Sequence, residues 1–155
     1  MRLLRGLTVL VLFAVLAGCS GNSKAVMDNY RKNYSVEVEG ITETAISDGL
    51  PSDINLNSVS KTILNGVVNA LSNEGLTKND NKNKYRVKYN ISYFGHKWMG
   101  LIRVKYIMRY NIQLIDENAG IVIASEKNDK DNIELGKVID DVADDIASFA
   151  LNKIK

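Results

Sequence analysis

Two long runs of alternating apolar and polar side chains constrain the fold of this chain more than any other feature. The first run carries apolar or aromatic residues at every second position from Tyr85 to Tyr93, and the second does so from Ile102 to Leu114. Successive side chains of a β-strand point to opposite faces, so each run predicts a strand with one apolar face. The two runs are close in sequence, which predicts that they pair as a β-hairpin.

Four further segments show regular patterns. Tyr34–Glu39 alternates and predicts an earlier strand, and Ile121–Ser125 predicts a fourth strand after the turn at 116–120. Apolar residues recur at spacings of three and four in two other segments, which predicts two amphipathic helices. The first helix spans about five turns and has Gly75 as its C-terminal cap. The apolar positions are Leu56, Val59, Ile63, Val67, Ala70 and Leu71 in the first, and Val138, Val142, Ile146, Phe149, Ala150 and Ile154 in the second.

The element order is therefore β-α-β-β-β-α, within a single domain at residues 34–155. One apolar stripe on each helix and one apolar face on each strand predict two layers. We expect an α+β two-layer sandwich in which two helices cover one face of a four-stranded, mostly antiparallel sheet.

Charge is unevenly distributed along the chain. No Asp or Glu occurs between residues 85 and 115, and alternation places five basic residues on the sheet face away from the helices: Arg86, Lys88, Arg103, Lys105 and Arg109. This face is a candidate contact for anions such as lipid phosphates or for an acidic protein. The alternative is a solvent-facing surface, or one neutralised by the acidic C-terminal part. In that part, the DDVADD segment predicts a polar helix face rather than a calcium site.

The segment Gly95–Gly100, GHKWMG, contains the only histidine and the only tryptophan of the chain. It lies between the two long strands, so we expect it to form the hairpin tip, with Gly95 and Gly100 giving the turn its freedom. The candidate contact residues of the tip are His96, Lys97, Trp98 and Met99. Trp98 either closes the end of the core or stands exposed, and an exposed tip suits a membrane interface or a protein hot spot. No catalytic partner for His96 is near it in sequence.

The N-terminus, MRLLRGLTVLVLFAVLAGCS, has Arg2 and Arg5 ahead of the short apolar run Leu7–Leu16. That run is about half the length needed to span a bilayer, which is typical of an export signal. Its end, Leu16-Ala17-Gly18-Cys19, resembles the lipobox of bacterial lipoproteins. The resemblance implies cleavage before Cys19, a diacylglycerol on its sulfur and an added acyl chain such as palmitate.

The lipobox resemblance therefore divides the chain into a cleaved signal peptide at residues 1–18, a lipidated N-terminus and tether at 19–33, and the domain. It implies a membrane partner through the lipid on Cys19. Ser20, in place of Asp, implies the outer membrane facing the periplasm if the source is Gram-negative. Loss of Arg2 and Arg5 leaves equal numbers of basic and acidic residues, so net charge does not favour nucleic-acid binding.

The residue inventory favours a non-catalytic role. The single cysteine is assigned to lipid, the single histidine cannot build a metal site alone, and no phosphate-binding glycine motif is present. We therefore expect no enzyme activity, no metal and no cofactor apart from the covalent lipid. The element order loosely resembles small α/β outer-membrane lipoproteins such as the lipopolysaccharide-assembly lipoprotein family.

Two functional hypotheses remain. In the first, the protein is an accessory or assembly subunit of an envelope protein complex. In the second, it binds anionic lipid or lipopolysaccharide through the basic sheet face.

Overall fold

Four strands and two helices make up the described part of the chain, which comprises residues 34–41, 54–76, 83–101 and 103–154 of a computed structural model. The elements are β1 (Tyr34–Ile41), α1 (Leu56–Asn73), β2 (Asn83–Met99), β3 (Arg103–Asp116), β4 (Ile121–Asn132) and α2 (Leu135–Lys153). The predicted α+β fold and its element order are confirmed. The signal peptide, Cys19 and the tether lie outside the described residues.

The sheet is mixed and has the strand order β1-β2-β3-β4. The β2–β3 and β3–β4 pairs are antiparallel, as expected, whereas β1 runs parallel to β2. A parallel pair requires a crossover connection, and α1 lies in the crossover between β1 and β2. Tyr34 is opposite Asn83 and Ile41 is opposite Asn90, so β1 flanks only the first half of β2.

Both helices bury the stripes that the sequence predicts, against one face of the sheet. From α1 the core takes Val59, Ile63, Val67 and Leu71; from α2 it takes Val138, Val142, Ile146 and Ala150; from the two central strands it takes Val87, Tyr89, Met108, Tyr110, Ile112 and Leu114. Gly66 on α1 lies so close to Ala143 on α2 that an added Cβ would stand 2.8 Å from the alanine Cβ. Neither helix is long and apolar enough to cross a membrane.

The first helix has well-defined ends. The Asn55 side chain accepts hydrogen bonds from the backbone N–H groups of Asn57 and Ser58 at 2.9 and 3.2 Å, which caps the N-terminus. At the other end, Gly75 adopts a φ of 76°, and Leu76 N–H donates to the Leu71 carbonyl. This is a Schellman motif, in which a left-handed glycine closes the helix. The predicted role of Gly75 is confirmed.

A β-bulge at Ser92 changes which residues of β2 face the core. Ile91 pairs with Tyr110 and Tyr93 pairs with Arg109, so Ser92 is an additional residue in the ladder. Its hydroxyl donates to the Arg109 carbonyl at 3.3 Å. The expectation that Tyr93 continues the inward face is wrong: Phe94 is buried in the core, and Tyr93 lies on the opposite face.

The fourth strand is longer than the sequence predicts. It continues past Ser125 to Asn132 through the polar segment EKNDKDN. As an edge strand, β4 has side chains largely in solvent, so it does not need the apolar alternation on which the prediction depends. A second bulge, at Ile123, lies between the Leu114 and Ile115 pairs.

Asp145 of α2 connects the helix to two strands. Its carboxylate accepts hydrogen bonds from the Tyr110 hydroxyl at 2.5 Å and the Asn128 amide at 2.7 Å, and Lys130 Nζ lies 3.0 Å away. Partial burial by itself would raise the pKa of Asp145, but the bonds from Tyr110, Lys130 and Asn128 outweigh it and lower that pKa. Asp145 is therefore a tertiary anchor, whereas Asp140, Asp141 and Asp144 are exposed as predicted.

Asp145→Asn is expected to lower the free energy of unfolding at pH 7 by about 1–2 kcal/mol, because a charged acceptor is lost. A group with a lowered folded-state pKa stabilises above its unfolded pKa of about 3.9 and loses that contribution as pH falls through the folded value. The difference from wild type, measured by urea unfolding at pH 7 and pH 3, should shrink at pH 3. Asp144→Asn, one exposed position away, is the control and should change little at either pH.

Candidate functional site at the end of the β2–β3 hairpin

The two central strands extend beyond their neighbours at one end of the sheet. Pairing between β3 and β4 stops at Tyr106, and β1 stops opposite Asn90. Within the described part of the chain, three further cross-strand pairs join only β2 and β3: Lys97 with Lys105, Trp98 with Val104, and Met99 with Arg103. We call residues 97–101 and 103–105 the hairpin end.

The predicted hairpin is present, but its tip is not the whole GHKWMG segment. Gly95 is paired with Ile107 inside the ladder, and β2 continues to Met99. Only Gly100 has the positive φ of a turn glycine, at 70°. The prediction that Gly95 begins the turn is wrong, because the ladder continues through this buried glycine and uses its pairing groups in the sheet.

The hairpin end exposes large apolar side chains. Trp98 is 63% exposed and Leu101 is 97% exposed, and Met99 is also exposed. Four residues before Trp98 on β2, Phe94 is buried in the core. The possibility that Trp98 closes the end of the core is therefore wrong. Sequence reasoning missed Leu101, although its position beside Gly100 in the turn was a usable signal.

The hairpin end has two chemically different faces. Register places Trp98 and Val104 on the helix side of the sheet, the side that the neighbouring His96 also faces. The His96 and Trp98 rings meet edge to face, with centroids 6.2 Å apart. His96 Nδ1 is buried and has no hydrogen-bond partner in the described part of the chain. The opposite face carries Lys97, Met99, Arg103 and Lys105.

The five basic residues predicted from alternation do share the face away from the helices, as the register of β2 and β3 requires. Arg86, however, lies among acidic partners from both sides. Its Nη1 donates to Glu39 and its Nη2 donates to Glu117, both at 3.1 Å. Its Nε lies at ion-pair distance, 3.0 Å from the other Glu117 oxygen, without a hydrogen bond. These contacts, led by the Glu39 hydrogen bond, raise the pKa of Arg86. Lys88 lies 4.0 Å from the same Glu39.

The C-terminal strand supplies the remaining acidic partners. Lys105 Nζ is 2.7 Å from Asp131 of β4. Arg109 lies 4.9 Å over the Tyr93 ring and is opposite Asp129 in the register. Most of the basic face is therefore neutralised by β1, the β3–β4 turn and β4. Lys97 and Arg103, both at the hairpin end, have no carboxylate within ion-pair distance among residues 34–41, 54–76, 83–101 and 103–154.

A shallow groove lies elsewhere, between β1 and α1. It encloses about 280 Å³ and is lined mainly by apolar side chains, among them Val36, Val68 and Leu71. No group of His, Cys, Asp and Glu that could hold a metal ion occurs in the described residues. The hairpin end thus combines exposed apolar side chains with unpaired cations, and the groove does not.

Comparison with known proteins establishes the fold. No protein-family model and no curated protein matches this sequence. Among solved structures, the chain is similar to a DUF330 family protein from Xanthomonas campestris, with a TM-score of 0.57, 10% identity and coverage of 77% of this chain and 84% of that one.

Two further structures share the fold. The PelC dodecamer from Paraburkholderia phytofirmans has a TM-score of 0.53 at 14% identity, with coverage of 80% of this chain and 88% of that one. A hypothetical protein from Chlamydia trachomatis has a TM-score of 0.54 at 10% identity, with coverage of 78% and 98%. At identities this low, the three structures share a fold with this chain, and the roles of their residues do not transfer to it.

Trp98→Ala is expected to change the free energy of unfolding by no more than about 0.5 kcal/mol, because an exposed side chain outside the core is removed. Phe94→Ala, on the same face of the same strand, should cost about 3–5 kcal/mol. Chemical denaturation followed by circular dichroism checks both variants. A large loss of stability in Trp98→Ala would show that the tryptophan is part of the core.

Proposed function

We propose that this protein is a membrane-anchored bacterial lipoprotein, lipidated at Cys19, that acts as a non-catalytic accessory or assembly subunit of an envelope protein complex. The anchor is supported by the match of Leu16-Ala17-Gly18-Cys19 to the lipobox, behind a short apolar run with two arginines. Two or three acyl chains would hold the domain stably at a membrane, whereas one chain binds only weakly. Ser20, in place of Asp, supports the outer membrane facing the periplasm if the source is Gram-negative.

The observation that carries the subunit role is the exposed apolar start of β4. Ile121, Val122 and Ile123 are consecutive and all exposed, on a strand that forms one edge of the described sheet. Soluble proteins use charged side chains or bulges to protect edge strands from unwanted pairing with other chains. The later part of β4 is highly charged, whereas its first three residues carry no charge and have only the bulge at Ile123 as protection. An uncharged strand edge of this kind can pair with a strand of another protein through its backbone, which does not require a large apolar patch.

The PelC structure illustrates how this architecture can be used. That protein is a dodecamer, so a domain of this fold can be a component of a multi-subunit assembly. A complex containing this chain could therefore include further copies of it as well as other proteins. The native mass of the complex in detergent extracts of the source membrane, together with the identity of its subunits, distinguishes an assembly of copies from a complex with other proteins.

Cys19→Ser is expected to abolish lipidation, because the thiol is the acceptor of the diacylglycerol in the lipobox chemistry. Incorporation of labelled palmitate into the wild-type chain, and none into the variant, would support the anchor. Ser20→Ala is the control and should be labelled like wild type. Equal labelling of Cys19→Ser would contradict lipidation at this position.

Val122→Lys is expected to reduce the recovery of the chain in its native complex by about tenfold, because a lysine on an edge strand opposes pairing with another chain. A tenfold change corresponds to about 1.4 kcal/mol. Val122 is 52% exposed, so its replacement should leave the fold stable. The matched control is Val68→Lys on α1, which is 41% exposed. Native mass in detergent extracts is the measurement. Equal loss in both variants, or in neither, would contradict a contact through β4.

The alternative function is binding of anionic lipid or lipopolysaccharide through the basic sheet face. The ion pairs of Arg86, Lys88 and Lys105 weigh against the face as a whole, since a bound anion would compete with carboxylates already in place. The specific observation that keeps lipid binding in consideration is the pair of unpaired cations beside Trp98 at the hairpin end. This pair favours lipid binding at the hairpin end alone and not across the whole basic face.

A further inference from the structure

We infer that the hairpin end is a membrane-docking element that inserts Trp98, Met99 and Leu101 into the interfacial layer of an anionic phospholipid bilayer, with Lys97 and Arg103 at the lipid phosphates. The inference deepens the proposed function, on which it depends only for the anchor at Cys19. It moves lipid contact from the flat sheet face to the end of a two-stranded extension.

The apolar part of the argument is the position of the three side chains. Leu101 is in the turn beside Gly100, and Met99 and Trp98 are the last residues of β2, so all three lie at the outermost point of the hairpin. Trp98 and Met99 point to opposite faces of the ladder, so apolar side chains surround the turn instead of covering one side. Such an arrangement can enter a lipid layer end-on, and tryptophan is the residue most typical of the headgroup region.

The charges reinforce this orientation. Lys97 is opposite Lys105, and Arg103 is opposite Met99, so the cations begin immediately behind the apolar turn. Lys105 is held by Asp131 at 2.7 Å, whereas Lys97 and Arg103 have no carboxylate partner among the described residues. Each basic residue near an anionic surface strengthens binding by about fivefold. Two free cations next to the inserted side chains therefore complement lipid phosphates.

Magnitudes favour a bilayer over a protein pocket at this position. A stable protein interface buries about 800 Å² on each partner, and the hairpin end presents only three exposed apolar side chains on a narrow two-stranded ribbon. A bilayer needs no such area, because a few side chains can partition into it individually. The experiment below distinguishes insertion into a bilayer from insertion into a protein pocket.

Trp98 provides the test, because it is the only tryptophan in the whole chain. The full-length chain from its source membrane is reconstituted into phosphatidylcholine vesicles with or without about one-third phosphatidylglycerol, an anionic lipid that attracts each basic residue. Trp98 emission and its quenching by brominated lipid are recorded, and vesicle flotation is measured in parallel. We expect blue-shifted, lipid-quenched emission in the anionic vesicles and much weaker quenching in the neutral ones.

Variants test the two parts of the inference separately. Lys97→Gln with Arg103→Gln should lower the ratio of docked to undocked Trp98 by about 25-fold, at about fivefold for each cation. The matched control is Lys61→Gln with Lys127→Gln, which removes the same charge at exposed positions away from the hairpin end and should leave quenching unchanged. Leu101→Asn should also reduce quenching, and because Leu101 is fully exposed it should not affect folding.

The outcomes are distinct. If the chain floats with vesicles but Trp98 is not quenched, the inference is overturned and the anchor stands. If the chain does not float, the anchor fails, and the proposed function fails with it. The role of the cations is overturned if quenching is the same in neutral and anionic vesicles and is also unchanged by Lys97→Gln with Arg103→Gln. Shielding of Trp98 that requires an envelope protein instead of lipid overturns docking to a bilayer.

Discussion

The extended pairing of β2 with β3 is the interaction on which the rest of this structure depends. Its first part carries most of the apolar face onto which both helices pack, with Tyr89 and Tyr110 completely buried. Its last part continues after β1 and β4 have ended. A single strand pair, interrupted only by the bulge at Ser92, thus joins a dry core to an exposed end.

Charge across the open sheet face is arranged by strand. The central strands are basic, and acidic side chains come from β1, from the β3–β4 turn and from β4, so the face is neutralised laterally. Each exposed ion pair contributes little, typically below about 1 kcal/mol. Flanking strands are absent at the hairpin end, where Lys97 and Arg103 have no carboxylate partner among the described residues.

Much of the fold follows from sequence, and the site does so only in part. Periodicity located both helices and all four strands, and Gly75 was placed correctly, because these features depend on local pattern. The pattern could not reveal the bulge at Ser92, which shows no local signal, or the length of β4, whose polar side chains are tolerated at an edge.

The partners of the basic residues escaped prediction for a different reason. Glu39 and Asp131 are far from Arg86 and Lys105 in sequence, and only strand order brings them together. The basic segment itself, residues 85–115, contains no Asp or Glu. Exposure of Trp98 likewise depends on where the helices and outer strands stop, which is a property of the assembled layers and not of the six residues around it.

The bulge at Ser92 has a consequence for changes in chain length. Ser92 is the additional residue, so its deletion would restore a regular ladder with Phe94 still inward and Trp98 still on its present face. Insertion of one residue between Phe94 and Trp98 would have the opposite effect and bring the indole onto the side of Arg103. The strand should therefore tolerate shortening before Phe94 far better than lengthening after it, a marked asymmetry for two sites only a few residues apart.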